Sequence, residues 1–469
     1  MDVTQETIGK IVKEVLNKYN FNHTNSSASQ AGIFNEIEEA VSRAQAAQEE
    51  WVKLTLEKRK TIIEEMRRAA LIHAQALAEL AVAETGLGNV ESKIAKNILV
   101  AAKTPGIEDL QSNAFTGDHG LTLVEMAPYG VIGSITPSTN PAATIINNAI
   151  AMVSAGNAVV FNPHPSARQV SNRCVEILNE AITSQGGPVN LICSIKEPSL
   201  SSAQAIMQNL GIRLLVVTGG PEVVKAAMTC GKKCIAAGPG NPPVVVDETA
   251  DLPNAARNII YGASFDHNII CVDEKEVFAV DTIFTELKKQ MKMFGAYELT
   301  IQQFSELTKQ ILVPGAPGKP SKINRDFIGK SPQVIAKSIG LDLPRDIKLL
   351  FAETDPDHPL VSLEQLMPVL PLVRTRNVEE AIQLAVKAEN GRFHSAVMHS
   401  RNIENLSNMA YRIKTTIFTK NAPALSGLGH DGEGYTTMTI AGPTGEGITS
   451  PRSYTRQRRC VLVDYFRII

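Results

Sequence analysis

Among 469 residues the side chains best suited to covalent chemistry are six thiols: Cys174, Cys193, Cys230, Cys234, Cys271 and Cys460. Six are too few for a disulfide scaffold, and no Cys-x-x-Cys or Cys/His cluster has zinc spacing. No metal site is expected. The spacing of Cys230 and Cys234 would place both on one helix face, where they read as ordinary thiols. Cys271 stands in Asp266-His267-Asn268-Ile269-Ile270-Cys271-Val272-Asp273, without a cysteine partner and beside an apolar segment. Such a residue is a small core thiol unless exposure and nearby dipoles help it form a thiolate. The pattern admits both.

Two further segments carry chemical potential. Thr218-Gly219-Gly220-Pro221-Glu222 puts two glycines between an apolar run and a helix start. That arrangement lets backbone amides approach a phosphate, but it also makes a plain tight turn. No Gly-x-Gly-x-x-Gly accompanies it, so the usual dinucleotide fingerprint is missing. Gly238-Pro239-Gly240-Asn241-Pro242-Pro243 is a rigid bend, equally readable as a hinge or as a cleft lining.

These residues need elements to position them. The length implies two large lobes. Residues 33 to about 102 read as helical, and 120–127 as a strand. Strand, Gly/Pro turn and helix then recur: 130–135 with 142–155, 158–161 with 167–184, and 214–217 with 222–229. That order predicts βαβ units on a parallel sheet, with ligands at the carboxyl ends of the strands. A second βα lobe starts near Pro242 and contains the apolar segment 275–280, a helix over 282–293 and a strand over 395–399. The run Cys460-Val461-Leu462-Val463 predicts a terminal strand that needs a sheet edge, in this chain or in another subunit.

The start of the chain stands apart. Ile8, Ile11, Val12, Val15, Leu16 and Tyr19 recur at helical spacing opposite Lys10, Lys13, Glu14 and Lys18. A polar stretch over 20–32 follows, which reads as a linker. A helix of about 15 residues is marginal alone in water, so its stripe needs a partner. That partner is either the body of the chain or another protein, and the polar linker favours another protein; for the chain as a whole, a net charge of −2 argues against a dominant nucleic-acid or anionic-membrane role. No secretory signal or membrane-length apolar run is visible, so a cytosolic protein, or one in a compartment reached from the cytosol, is expected.

Several motifs together resemble the aldehyde dehydrogenase superfamily: Pro128-Tyr129-Gly130-Val131-Ile132-Gly133 with Thr136-Pro137-Ser138-Thr139-Asn140-Pro141; Ala155-Gly156-Asn157-Ala158-Val159-Val160; Thr218-Gly219-Gly220 with Val224; and Glu364-Gln365-Leu366-Met367-Pro368-Val369. Cys271 falls at the expected distance between the last two. Members of that superfamily usually carry a glutamate 34 positions before the nucleophile, as base for the hydrolytic water; here Ala237 stands there. Asn162 replaces a usual lysine, and Gly238-Pro239-Gly240-Asn241 replaces Leu-Gly-Gly-Lys. These departures resemble the CoA-acylating branch, above all the propionaldehyde and acetaldehyde dehydrogenases of bacterial microcompartments.

The resemblance implies an α/β fold with two Rossmann-like lobes and an oligomerisation β-arm, behind the amphipathic helix. It divides the chain into an encapsulation helix (1–19), a linker (20–32), an NAD- and CoA-binding domain (33–237), a catalytic domain (238–440) and a C-terminal arm (441–469). It implies CoA-dependent oxidation of a short aldehyde, propionaldehyde first, with NAD as oxidant. Cys271 would be the nucleophile, the Thr139/Asn140 turn an oxyanion donor, and His394 a candidate for proton handling. Thr136, Pro137, Asn162, His164, Pro165, Thr218, Gly219, Gly220, Val224, Gly238, Glu364 and Leu366 would line the nucleotide cleft. Shell proteins would be partners, the lumen of a microcompartment the location, and a dimer or tetramer the assembly. A hydrolytic dehydrogenase, an acyl-phosphate reductase and an inactive interaction protein are the rival readings.

Overall fold

The computed structural model describes residues 32–315 and 321–468. The amphipathic segment 1–19 and most of the linker lie outside the described residues.

Two parallel sheets organise the chain. The first has six strands in the order Ile33–Phe34, Ile192–Ile195, Ala158–Pro163, Val131–Thr136, Ile212–Thr218 and Cys234–Ala237. Val131–Thr136 and Ala158–Pro163 are buried throughout, because helices cover both faces and leave no side for water. The helix Pro141–Ser154 is buried at every position; proline at its start supplies the helical φ where no amide partner is needed. The chain leaves Val131–Thr136 toward one side of the sheet and later returns to the other. A topological switch point therefore lies between Val131–Thr136 and Ile212–Thr218.

The second sheet has seven strands: Ala296–Glu298, Leu349–Glu353, Val369–Thr375, Glu276–Val280, Pro243–Val246, Ser395–His399 and Ile417–Lys420. All its pairings are parallel. Each sheet carries its own apolar core. Near residue 440 the chain touches both: Ile440 joins the second core, Met438 and Ala441 the first. A third, antiparallel sheet pairs Asn113–Gly117 with Gly120–Pro128, and Gly120–Pro128 with Thr455–Val463. The fold class expected from the motifs is therefore observed.

Three local expectations change. Cys230 and Cys234 do not share a helix. The helix Pro221–Met228 ends first, Gly231 turns the chain at φ 84°, and Cys234 opens a strand. The terminal strand is longer than its apolar tail, because Arg456, Gln457, Arg458 and Arg459 also pair along Gly120–Pro128. The segment 275–280 is not simply apolar: Lys275 and Glu276 are fully buried at its start.

Candidate active site

Four consecutive strands of the second sheet are entered from one edge, and a candidate lies in the segment leading into each. Glu364 lies ahead of Val369–Thr375, Cys271 ahead of Glu276–Val280, Gly240 ahead of Pro243–Val246, and His394 directly before Ser395–His399. Parallel strands share an amino edge, so residues distant in sequence meet there.

The Cys271 loop is held by buried polar groups. Asp266, His267 and Asn268 all take positive φ, at 45°, 54° and 65°. Left-handed backbone in three successive non-glycine residues is costly and persists only where neighbours enforce it. Asn268 donates from Nδ2 to the carbonyls of Ala263 and Glu274, both at 2.9 Å. Lys275 Nζ donates to Asn268 O at 2.8 Å, Asn268 Oδ1 at 2.6 Å and Ile270 O at 3.2 Å. Cys271 itself is half-buried. Burial pushes its thiol up to about 12; the nearby Glu364 adds to this and Lys275 opposes it.

Gly240 joins the loop to its neighbours. Its N–H donates to Glu364 Oε1 at 3.2 Å. A Cβ at this position would run into the Cys271 carbonyl oxygen and lie 3.2 Å from His394 Cγ, so the bend lines the cleft and needs glycine's small size. His394 is buried and its N–H donates to Glu389 Oε1 at 3.0 Å. Its Nδ1 lies 2.9 Å from Ser395 Oγ, while Nε2 is buried with no protein partner. Burial first, then Lys275 and Arg392, lower its pKa to about 3, so the imidazole is neutral near pH 7. Leu366, half-buried at φ 54°, accepts a hydrogen bond from Gly329 N at 2.9 Å.

The Thr139–Asn140 turn belongs to the first lobe but is tied to the Cys271 loop. Lys96 Nζ donates to Asn140 Oδ1 at 2.5 Å and also pairs with Asp266. Lys93 Nζ donates to Thr139 O and to Asp266 Oδ2, both at 3.1 Å. With its carbonyl oxygen fixed on an ammonium, the Asn140 amide keeps its N–H donors for other acceptors, one of them Thr139 Oγ1 at 3.3 Å. Nothing in the sequence pattern marks Lys93, Lys96 and Lys275. Two lysines three apart on a helix ordinarily read as a solvated face.

The remaining candidates sit on the carboxyl edge of the first sheet. Thr136 ends the central strand, with Pro137 next, and its buried Oγ1 has no partner. Across the switch point, Thr218 ends Ile212–Thr218, with Oγ1 at 3.1 Å from Thr439 Oγ1. Gly219 and Gly220 follow, and a Cβ on Gly220 would meet open space. Val224 is buried in the first core. Asn162 is also buried, with Oδ1 accepting from Ser202 Oγ at 2.6 Å. His164 and Pro165 are exposed; His164 Nδ1 caps the next turn by accepting from Ser166 N at 3.2 Å. Ala237 ends the edge strand beside Thr218, and half-buried Gly238 leads into the bend that reaches Gly240.

A model of the aldehyde dehydrogenase family matches residues 11–302. The chain is 50% identical over 469 residues to an acetylating acetaldehyde dehydrogenase of Escherichia coli (strain K12), with 100% of both chains covered. It is similar to a propionaldehyde dehydrogenase from the fucose utilisation bacterial microcompartment of Clostridium phytofermentans, with TM-score 0.91 and 46% identity over 94% of this chain and 100% of that one. A Rhodopseudomonas palustris propionaldehyde dehydrogenase, solved with bound CoA and an acylated cysteine, gives TM-score 0.90 and 45% identity over 93% of this chain and 99% of its own. The chain belongs to the aldehyde dehydrogenase family.

Proposed function

We propose that this chain oxidises a two- or three-carbon aldehyde to its acyl-CoA with reduction of NAD, through a thioester on Cys271. The reading is carried by Ala237. This strand end lies three residues ahead of Gly240, the glycine packed on the Cys271 carbonyl, and carries a methyl group where hydrolytic members of the family have a base. Water attacks a thioester poorly without a base, whereas a thiol needs less activation.

Cys271 Sγ bonds to the aldehyde carbon as the C=O π pair moves onto oxygen, and the S–H proton passes to solvent water. The oxyanion of the hemithioacetal takes hydrogen bonds from Asn140 Nδ2 and the Cys271 amide; Asn140 is preferred to Thr139 because Lys96 fixes its amide. Loss of hydride leaves an acyl thioester on Cys271, and the acyl group then passes to the CoA thiol. That thiol proton goes to neutral His394, a role supported by its buried Nε2, which has no protein hydrogen-bond partner.

NAD supplies the hydride acceptor. The residues present fit a nucleotide at the switch point, where Thr136 Oγ1 is buried without a partner and the Gly220 side is open. Thr136, Pro137, Thr218, Gly219, Gly220, Val224 and Gly238 would hold it there. Glu364 and Leu366 would stand beside the reacting end, and Asn162, His164 and Pro165 at the adenosine end. NAD and CoA use this cleft in turn. Residues 33–237 then form the nucleotide domain, 238–440 the catalytic domain and 441–469 an arm whose free edge, with Val461, Leu462 and Val463 exposed, supports a dimer or tetramer. Residues 1–19 bind shell proteins, linked by 20–32, and place the enzyme in a microcompartment lumen.

The test is NADH formation from acetaldehyde and propionaldehyde with and without CoA. Sustained turnover is expected only with CoA, and none from Cys271→Ala. Continued CoA-independent turnover sinks the reading in favour of hydrolysis to the free acid.

A further inference from the structure

The contacts around Asp266 carry a consequence beyond the identity of the reacting groups. Lys93 and Lys96 lie three apart on the helix Val90–Lys103, whose start is capped by the Asn89 side chain accepting from Ser92 N. Both ammonium groups are buried, at 3% exposure each, and Asp266 is at 0%. Two cations share one carboxylate, so the cluster holds an excess positive charge away from water. Asp266 is itself pinned on its other side: its Oδ1 accepts from Asn89 N at 2.8 Å, and its own N–H donates to Ser92 Oγ at 3.0 Å. The cavity at this cluster, lined by Lys93, Lys96, Asn97 and Asn140, measures about 10 Å³, room for a single water at most.

We infer that Lys96, with Lys93 and Asp266, is a positioning clasp that sets the Asn140 amide relative to the Cys271 loop. Three otherwise separate pieces meet here. The turn Thr139–Asn140 and the helix that carries the lysines come from separate parts of the first lobe, and Asp266 from the root of the nucleophile loop. The clasp acts in two ways. The Lys96 ammonium on Oδ1 forbids the flipped amide, in which a carbonyl oxygen would face the developing negative charge. The same charge-assisted bond polarises the amide, making its N–H groups better donors. Burial first, and Lys96 next, draw Lys93 down to about 8, the behaviour of a cation held beside another in a dry site. Lys93 and Lys96 touch no reacting atom; they act through Asn140 and the loop.

The inference rests on Asn140 as the oxyanion donor, and a double-mutant cycle separates the two ideas. Asn140→Ala, Lys96→Met and the double variant are assayed with propionaldehyde, NAD and CoA. Alkylation of Cys271 by iodoacetamide, which forms no oxyanion, reports loop integrity. Asn140→Ala is expected to lower kcat by about 10²–10³-fold, the effect of losing one oxyanion donor. Lys96→Met in the parent should lower kcat by at least about 10-fold with KM changed less than about 3-fold, as for a misplaced catalytic group. On the Asn140→Ala background Lys96→Met should change kcat by less than about 2-fold, because there is no amide left to orient. A full additive loss there overturns the clasp while leaving Asn140 as the donor. An Asn140→Ala variant with parental kcat overturns the donor assignment, and the clasp with it. If Lys96→Met does not fold, Lys96→Gln, which keeps a neutral donor, is carried through the same cycle; additivity in that cycle overturns the clasp equally.

Discussion

At the scale of single residues, the resting state of Cys271 is set by its surroundings. The thiol is raised to about 12 by burial, then Glu364 and Asp273, with Lys275 and a backbone hydrogen bond opposing, so almost none of it is thiolate at neutral pH. Thiolate is the reactive form, and well below the pKa its fraction grows about tenfold per pH unit. Iodoacetamide alkylation of the Cys271 peptide, followed by mass spectrometry in the absence of nucleotide, should therefore rise about tenfold per unit from pH 7 to 9. A plateau below pH 8 would show a thiol already activated in the resting enzyme. His394 adds no charge change over this range, since its imidazole becomes a cation only near pH 3. The charge of Lys275 is useful where it sits: it binds two carbonyls and an amide oxygen of the loop and stands close to both Cys271 and Glu364.

At the scale of elements, the proposed site is a meeting of two sheet edges. The first sheet contributes its carboxyl edge at a switch point, as expected for a parallel sheet that binds a nucleotide. The second contributes its amino edge, where Glu364, Cys271, Gly240 and His394 enter four adjacent strands. Gly240 is a tight point of this edge. Gly240→Ala drives a methyl into the Cys271 carbonyl and against the His394 ring. The cost is expected to be about 1–3 kcal/mol of stability, as for other overpacked interiors. A loss of up to about 10²-fold in kcat is expected as the nucleophile shifts. Thermal unfolding and steady-state kinetics check both; a variant with parental kcat would mean that the loop adjusts without cost.

At the scale of the whole molecule, catalysis and addressing should separate. Residues 33–468 account for every group assigned to the chemistry, so removal of residues 1–19 should leave kcat/KM within about 2-fold while abolishing co-purification with shell proteins. Equal encapsulation of the shortened chain would reject that role for residues 1–19. Much of this protein was legible in its sequence. Alternating strands, Gly/Pro turns and helices reveal the two parallel sheets because strands covered on both faces must be apolar along their length, a local property that survives without coordinates. Ala237 is likewise a single-residue fact, read by counting back from Cys271. The pattern failed at Cys230 and Cys234, where a glycine turn stopped the helix that their spacing would need. It was silent on Lys93, Lys96 and Lys275, because spacing does not distinguish a lysine in solvent from one buried against a carboxylate 170 positions away. Only the tertiary structure brings Asp266 to Lys96 and turns the Asn140 carbonyl toward that ammonium. Composition and order along the chain determine which sheets form. The orientation of one amide beside one thiol depends on contacts between segments far apart in sequence, and the folded chain alone decides it.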